Sequence, residues 1–83
     1  MTVNENTTLD ELYQISLLAI NDLKSSEVFI VKELFRGFEW NRISKSNRTK
    51  LGSMFYSYVN NKASSNIYPL GKTPQNQQMY KKL

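Results

Sequence analysis

Leu51-Gly52-Ser53-Met54-Phe55-Tyr56-Ser57-Tyr58-Val59 decides how the rest of the chain is read. Its apolar side chains recur at 51, 54, 55, 58 and 59. That i, i+3, i+4, i+7, i+8 spacing lays one stripe along an α-helix. The opposite face holds Thr49, Ser53, Tyr56, Ser57 and Asn60, flanked by Lys50 and Asn61, and contains no acid. Ser44 or Ser46 supplies the N-cap, since a serine oxygen accepts from first-turn amides. The spacing predicts a helix over 45–61. Gly52 costs about 1 kcal/mol against alanine inside a helix. Either a packed neighbouring helix, or another chain or ligand approaching the backbone, accounts for it.

Downstream, residues 60–66 read as a polar loop. Ile67-Tyr68-Pro69-Leu70-Gly71 and Gln77-Gln78-Met79-Tyr80-Lys81-Lys82-Leu83 then flank Lys72-Thr73-Pro74-Gln75-Asn76. Proline and asparagine suit a turn, and the flanks are expected to pair as an antiparallel hairpin over 66–83. Pro69 has no amide hydrogen, which confines its strand to an edge or an entry position. Upstream, residues 1–7 read as a flexible, frayed start. Thr8-Leu9-Asp10-Glu11 is a capping box, with acids suited to the positive end of a helix. Leu9, Leu12, Tyr13, Leu17, Ile20 and Leu23 approximate helical spacing, with Ile15 and Leu18 widening the face, so a helix is expected over 9–23. Glu27-Val28-Phe29-Ile30-Val31 is β-branched and aromatic, which predicts a short strand over 27–31. A second helical region follows over 32–43. Gly37 is expected to end its first part, and Phe38 and Trp40 to anchor the rest.

The order is helix, strand, helix, helix, strand, turn, strand. It predicts a single α+β domain over residues 1–83, winged helix-turn-helix-like. Three helices carry a C-terminal β-hairpin wing, with a short strand after helix one. An 83-residue chain hides only roughly 60–65% of its unfolded surface, so a large substrate-enclosing cavity is not expected.

Charge is divided along the chain. All seven acids (Glu5, Asp10, Glu11, Asp22, Glu27, Glu33, Glu39) precede Trp40 and meet three basic residues there, a net −4. From Trp40 onward stand eight basic residues and no acid, a net +8. A basic half of this kind points to a polyanionic partner. A recognition helix presents its N-terminal side chains to base edges. Arginine suits guanine and asparagine suits adenine. The expected nucleic-acid-binding residues of helix three are therefore Asn47, Arg48, Lys50 and Ser53, with Tyr56 as the best base-stacking ring because it points away from the apolar stripe. On the wing they are Lys72, Gln75, Tyr80, Lys81 and Lys82, suited to phosphates and groove edges. The competing readings are an ordinary solvated helix face and a hairpin that only keeps the chain soluble.

Other chemistries find little support. With no cysteine and no histidine, the chain has no disulfide, no Cys/His zinc site, no cysteine nucleophile and no Ser-His-Asp triad. The carboxylates are scattered, so no pair is marked for acid/base work or metal binding. No enzyme, no cofactor and no metal site is expected. Gly71-Lys72-Thr73 ends like a phosphate-binding loop, but the glycine needed five residues earlier is Asn66, and Pro74 breaks the helix that should follow. Met1 to Thr8 is polar and carries an acid, unlike a signal peptide, and the apolar run 17–20 is far below the ~20 residues of a membrane span. A cytoplasmic location is expected, with no membrane partner.

Three segments carry a resemblance. Val28-Phe29-Ile30-Val31-Lys32-Glu33-Leu34-Phe35-Arg36-Gly37-Phe38-Glu39-Trp40-Asn41-Arg42-Ile43 resembles the domain-of-unknown-function family fourteen-thirteen, as do Leu51-Gly52-Ser53-Met54-Phe55 and Leu70-Gly71-Lys72-Thr73-Pro74-Gln75-Asn76-Gln77-Gln78. The similarity covers roughly residues 27–82. It implies a small bacterial protein, carried on phages or mobile elements beside replication or recombination genes. The function expected is therefore non-enzymatic DNA binding, weakly sequence-specific or single-strand-binding, to single-stranded or duplex DNA. A mobile-element replication or recombination protein is a further expected partner. The alternative is an adaptor or inhibitor that docks such a protein, or a host protein, through its acidic half or the apolar excess of helix one.

Overall fold

Thr8 starts the first helix as its sequence requires. In a computed structural model, which describes residues 3–61 and 66–83, the Thr8 hydroxyl accepts from the Glu11 amide (3.1 Å) and the Glu11 carboxylate accepts from the Thr8 amide (2.9 Å). Helix α1 runs over Leu9–Ala19 and then tightens into a 3₁₀ turn, Ile20–Asp22, rather than continuing to 23. The tightening lets the Leu23 amide bond the Ile20 carbonyl. Leu12, Ser16 and Ile20 are the buried residues of this stretch. Ser16 fits because its hydroxyl donates to the Tyr13 carbonyl (2.6 Å). Leu18 does not widen the buried face: it lies 65% exposed.

Strand β1 spans only Val28–Phe29. The second helical region is broken into a 3₁₀ turn, Val31–Leu34, and a four-residue helix α2, Gly37–Trp40. Gly37 thus opens α2 instead of closing the piece before it. Phe35 turns its ring into the core, where it is 8% exposed, and its extended backbone (φ −122°, ψ 152°) ends the preceding turn. Helix α3 spans Lys45–Asn61. Ser44 caps it, its hydroxyl accepting from the Asn47 amide and its carbonyl from the Arg48 amide. Residues 62–65 of the expected polar loop, and Met1 and Thr2 of the expected frayed start, lie outside the described residues.

Strands β2 (Ile67–Lys72) and β3 (Gln78–Lys82) complete an antiparallel sheet of order β1-β3-β2. Tyr80 of β3 faces Phe29 on one side and Pro69 on the other. β2 is an edge strand, as Pro69 requires. The connecting turn closes on Thr73. Its carbonyl accepts from Asn76, its hydroxyl accepts from the Gln77 amide, and its own amide donates to the Gln77 carbonyl. Asn76 takes the left-handed conformation (φ 64°) that asparagine tolerates. The described residues therefore form an α+β fold of three helices and a three-stranded antiparallel sheet. No helix among them is long and apolar enough to cross a membrane.

The apolar stripe of α3 joins two core clusters. Leu51 sits with Val3, Leu12, Phe35 and Ile43, and Phe55 and Val59 sit with Ile20, Phe29, Ile67 and Tyr80. The presence of Val3 corrects the reading of residues 3–7 as frayed. Val3 is 1% exposed, its amide donates to Glu39 Oε2 (2.7 Å), and its carbonyl accepts from Arg42 Nη1 (2.7 Å). A buried carboxylate needs donors, and Glu39 finds them in the Val3 amide and in Arg36 Nε (2.8 Å).

The Arg36 hydrogen bond, then that from Val3, hold the Glu39 carboxyl below the ordinary carboxylate range. A lowered folded value adds stability above the unfolded value and loses it as pH falls through the folded one. Glu39→Gln is therefore expected to melt below the parent at neutral pH. As pH drops below the ordinary glutamate value the parent loses this advantage, so the gap between the two thermal midpoints closes. Melting curves from about pH 7 to about pH 3 measure this.

Candidate nucleic-acid interface

The outward face of α3 and the turn between β2 and β3 enclose a groove of about 1080 Å³. α3 contributes Arg48, Thr49, Gly52, Ser53, Tyr56, Ser57, Asn60 and Asn61. The hairpin contributes Lys72, Asn76, Gln77 and Gln78, and the far wall is Ile30, Val31, Lys32 and Trp40. These residues are spread over the sequence and meet because the sheet folds back over α3. The lining carries three cations (Lys32, Arg48, Lys72) and no carboxylate.

Of the ten residues expected from sequence, the structure brings five to this groove: Arg48, Ser53, Tyr56, Lys72 and Tyr80. Tyr56 is 46% exposed there, with a ring free to meet a ligand. Tyr80 needs correction as a contact residue. It lies at the base of the groove but is 1% exposed, stacked on Phe29 (5.7 Å between centroids) and edge-on to Phe55 (5.0 Å). Strand alternation turns residues 78, 80 and 82 inward, and at 80 the inward side is core. Burial, with the Tyr56 phenol nearby, pushes the Tyr80 phenol up to about 12.

The same alternation separates the two terminal lysines. Lys81 stands on the outer face of the sheet between Val28 and Tyr68, and the Lys82 ammonium donates to the Ile20 carbonyl (2.8 Å). Neither lines the groove, and nor do Asn47, Lys50 or Gln75. Arg48 is engaged structurally. Its Nη2 donates to the Trp40 carbonyl (3.1 Å), and its guanidinium lies 5.4 Å from the centre of the Trp40 ring. It therefore gives the groove a fixed positive wall instead of a free base-reading fork.

Sequence reasoning missed Lys32, Trp40 and the amides Asn60, Asn76, Gln77 and Gln78 as members of one site. Lys32 stands in the acid-rich half, and only the tertiary fold carries it across to Lys72. Trp40 reads from the sequence chiefly as a core anchor; it packs on Phe35 and also walls the groove. Gln78 is fixed locally, its amide donating to the carbonyls of Leu70 and Met79.

Gly52 lies in the groove floor, and a methyl group added there would meet no atom of another element within 4 Å. Packing against a neighbouring helix therefore does not explain it. Gly52→Ala is expected to stabilise the domain by about 0.5–1 kcal/mol through helix propensity. A higher thermal midpoint checks this.

The sequence model of a family described as a domain of unknown function, DUF1413, matches residues 16–82. A solved structure named SCCmec type IV LP1413 - nucleic acids binding protein is similar in fold, with a TM-score of 0.73 at 16% identity over 90% of this chain and 92% of that one. No protein of curated function matches the sequence.

Proposed function

We propose a function from one premise: the chain belongs to the DUF1413 family, whose match over residues 16–82 takes in the whole groove. The domain is a non-enzymatic DNA-binding module of winged helix-turn-helix type. It binds with weak sequence specificity or to single strands, and serves replication or recombination of a mobile element. α3 takes the place of the recognition helix and the β2–β3 turn that of the wing. The acid-free groove carries the reading. Lys32, Arg48 and Lys72 offer positive charge to phosphates, and Tyr56 offers a ring to a base, a contact worth about 1–3 kcal/mol per stacked base. The amide side chains along both walls suit base edges without fixing one sequence. The nucleic-acid binding named for the neighbour of like fold supports the same reading. The lining holds hydroxyls but no carboxylate or imidazole to activate them, which favours binding over catalysis.

The protein-docking alternative, in the form that uses helix one, asks for an apolar patch there. Among the described residues of α1, Leu18 is the exposed large apolar side chain, and it stands alone.

Anisotropy titrations of labelled thymidine oligomers and of a duplex across a salt series test the proposal. Binding that weakens steeply with salt, with a change in the emission of Trp40 on the groove wall, is the expected result. No binding to either ligand at low salt overturns it.

A further inference from the structure

We propose that Arg36, Phe38 and Arg42 form a docking point for a short acidic segment of a partner protein, separate from the basic groove. Phe38 is 52% exposed on α2, so its ring is open to a partner. Two guanidinium groups lie over its ring, Arg36 at 5.2 Å and Arg42 at 5.0 Å from the centroid. Each is held by a second contact. Arg36 Nε donates to Glu39 Oε1, and Arg42 Nη1 donates to the Val3 carbonyl. The two cations are thus oriented before any partner arrives, which lowers the entropy lost on binding.

The charge of this patch is uneven. Glu39 is the acid beside it, and Glu39 is buried with both oxygens occupied, one by Arg36 and one by Val3. Arg36 and Arg42 against Glu39 leave the patch one positive charge in excess, with Arg42 acting on Glu39 through space and Arg36 through an ion pair. The remaining guanidinium N–H groups suit carboxylates, which arginine takes two bonds at a time. The part of the ring left exposed beside them suits an apolar side chain of the same segment. Arginine and aromatic residues are the types that dominate the centres of protein interfaces.

A nucleic-acid strand fits less well. A stacked base needs the ring face, and guanidinium groups hold that space. Residues two apart on a helix also point about 200° apart. Trp40 lines the groove, so Phe38 faces away from it, and one strand could reach both only by crossing α2.

The test titrates the isotope-labelled full chain with an acetylated peptide of four aspartates and two leucines, and separately with a thymidine oligomer. The peptide is expected to shift resonances of Arg36, Phe38 and Arg42, including the Nε–H signals of the two arginines, leaving Tyr56 and Ser53 unmoved. Phe38→Ser and Arg42→Gln are each expected to weaken the peptide at least tenfold while keeping the parent's dispersed amide spectrum, which shows that the variants fold. A counterpart peptide with asparagine for aspartate is expected to bind at least tenfold more weakly. Peptide shifts of Tyr56 and Ser53, no shifts of Arg36, Phe38 and Arg42, or equal binding by the asparagine peptide would overturn the proposal. Shifts of Phe38 by the oligomer would assign the patch to nucleic acid and overturn it too. Failure of oligomer binding alone bears on the groove and leaves the peptide result standing.

Discussion

With Lys32 and Lys72 both exchanged for glutamate, affinity for a thymidine oligomer at low salt is expected to fall at least a hundredfold. Both lysines line the groove and are exposed. The exchange removes two cations from its walls and places two anions where phosphates would lie. Surface substitutions of this kind usually change stability by less than about 0.5 kcal/mol, so the loss should appear in binding without a loss of folding. Lys50→Glu with Lys81→Glu is the matched control. It changes the net charge equally at positions outside the groove, and a clearly smaller loss is expected. Equal losses from the two pairs would replace the groove with a diffuse electrostatic surface.

Alanine in place of Lys32 and Lys72 refines the result. Each phosphate contact adds about 0.7 to the salt slope for a single strand and about 0.9 for B-form duplex. The slope of log affinity against log salt is therefore expected to fall by about 1.4 or about 1.8 respectively. Anisotropy titrations with both ligands measure the two slopes.

Phe55→Ala is expected to remove most of the fold's stability. Phe55 is fully buried and meets three rings: Tyr80 at 5.0 Å, and Phe29 and Tyr58 both at 6.2 Å. Its ring ties α3 to both β1 and β3. Truncating a buried phenylalanine costs about 3–5 kcal/mol. A domain of this length has roughly 4–12 kcal/mol in total at about 0.05–0.15 per residue. Urea denaturation is expected to show the midpoint falling toward zero denaturant. Phe55→Leu, which keeps most of the volume, is expected to lose far less.

The α3 stripe was legible because five apolar residues repeat at helical spacing over nine positions, and Leu51, Phe55 and Val59 are its buried members. The Thr8 capping box and the edge position of Pro69 were legible for a similar reason: each follows from the chemistry of one or two adjacent residues. The break at Phe35 was not. Val31 to Trp40 has enough apolar residues for one helix, and the pull of Phe35 into the core divides it. Val3 was hidden for the same reason, since its partners, Glu39 and Arg42, lie 36 and 39 residues away.

The site divides in the same way. Charge segregation marked the second half as the positive one, and local spacing marked Tyr56 as outward. It could not tell which cations share a surface. Lys81 and Lys82 looked like wing charges, yet one faces the outer side of the sheet and the other caps the 3₁₀ turn after α1. Lys32 looked like part of the acidic scaffold, yet it shares the groove with Lys72.

By itself, then, the sequence determined the order of elements, the buried stripe of α3, the edge strand and the sign of the charge in each half. These depend on periodicity and on neighbours within a few residues, which the chain carries locally. Only the tertiary structure decided which side chains line one groove, that Tyr80 is core, and that Arg36 and Arg42 converge on an exposed Phe38. Those outcomes depend on the side of a strand that faces the core and on where a short helix breaks, and long-range packing sets both.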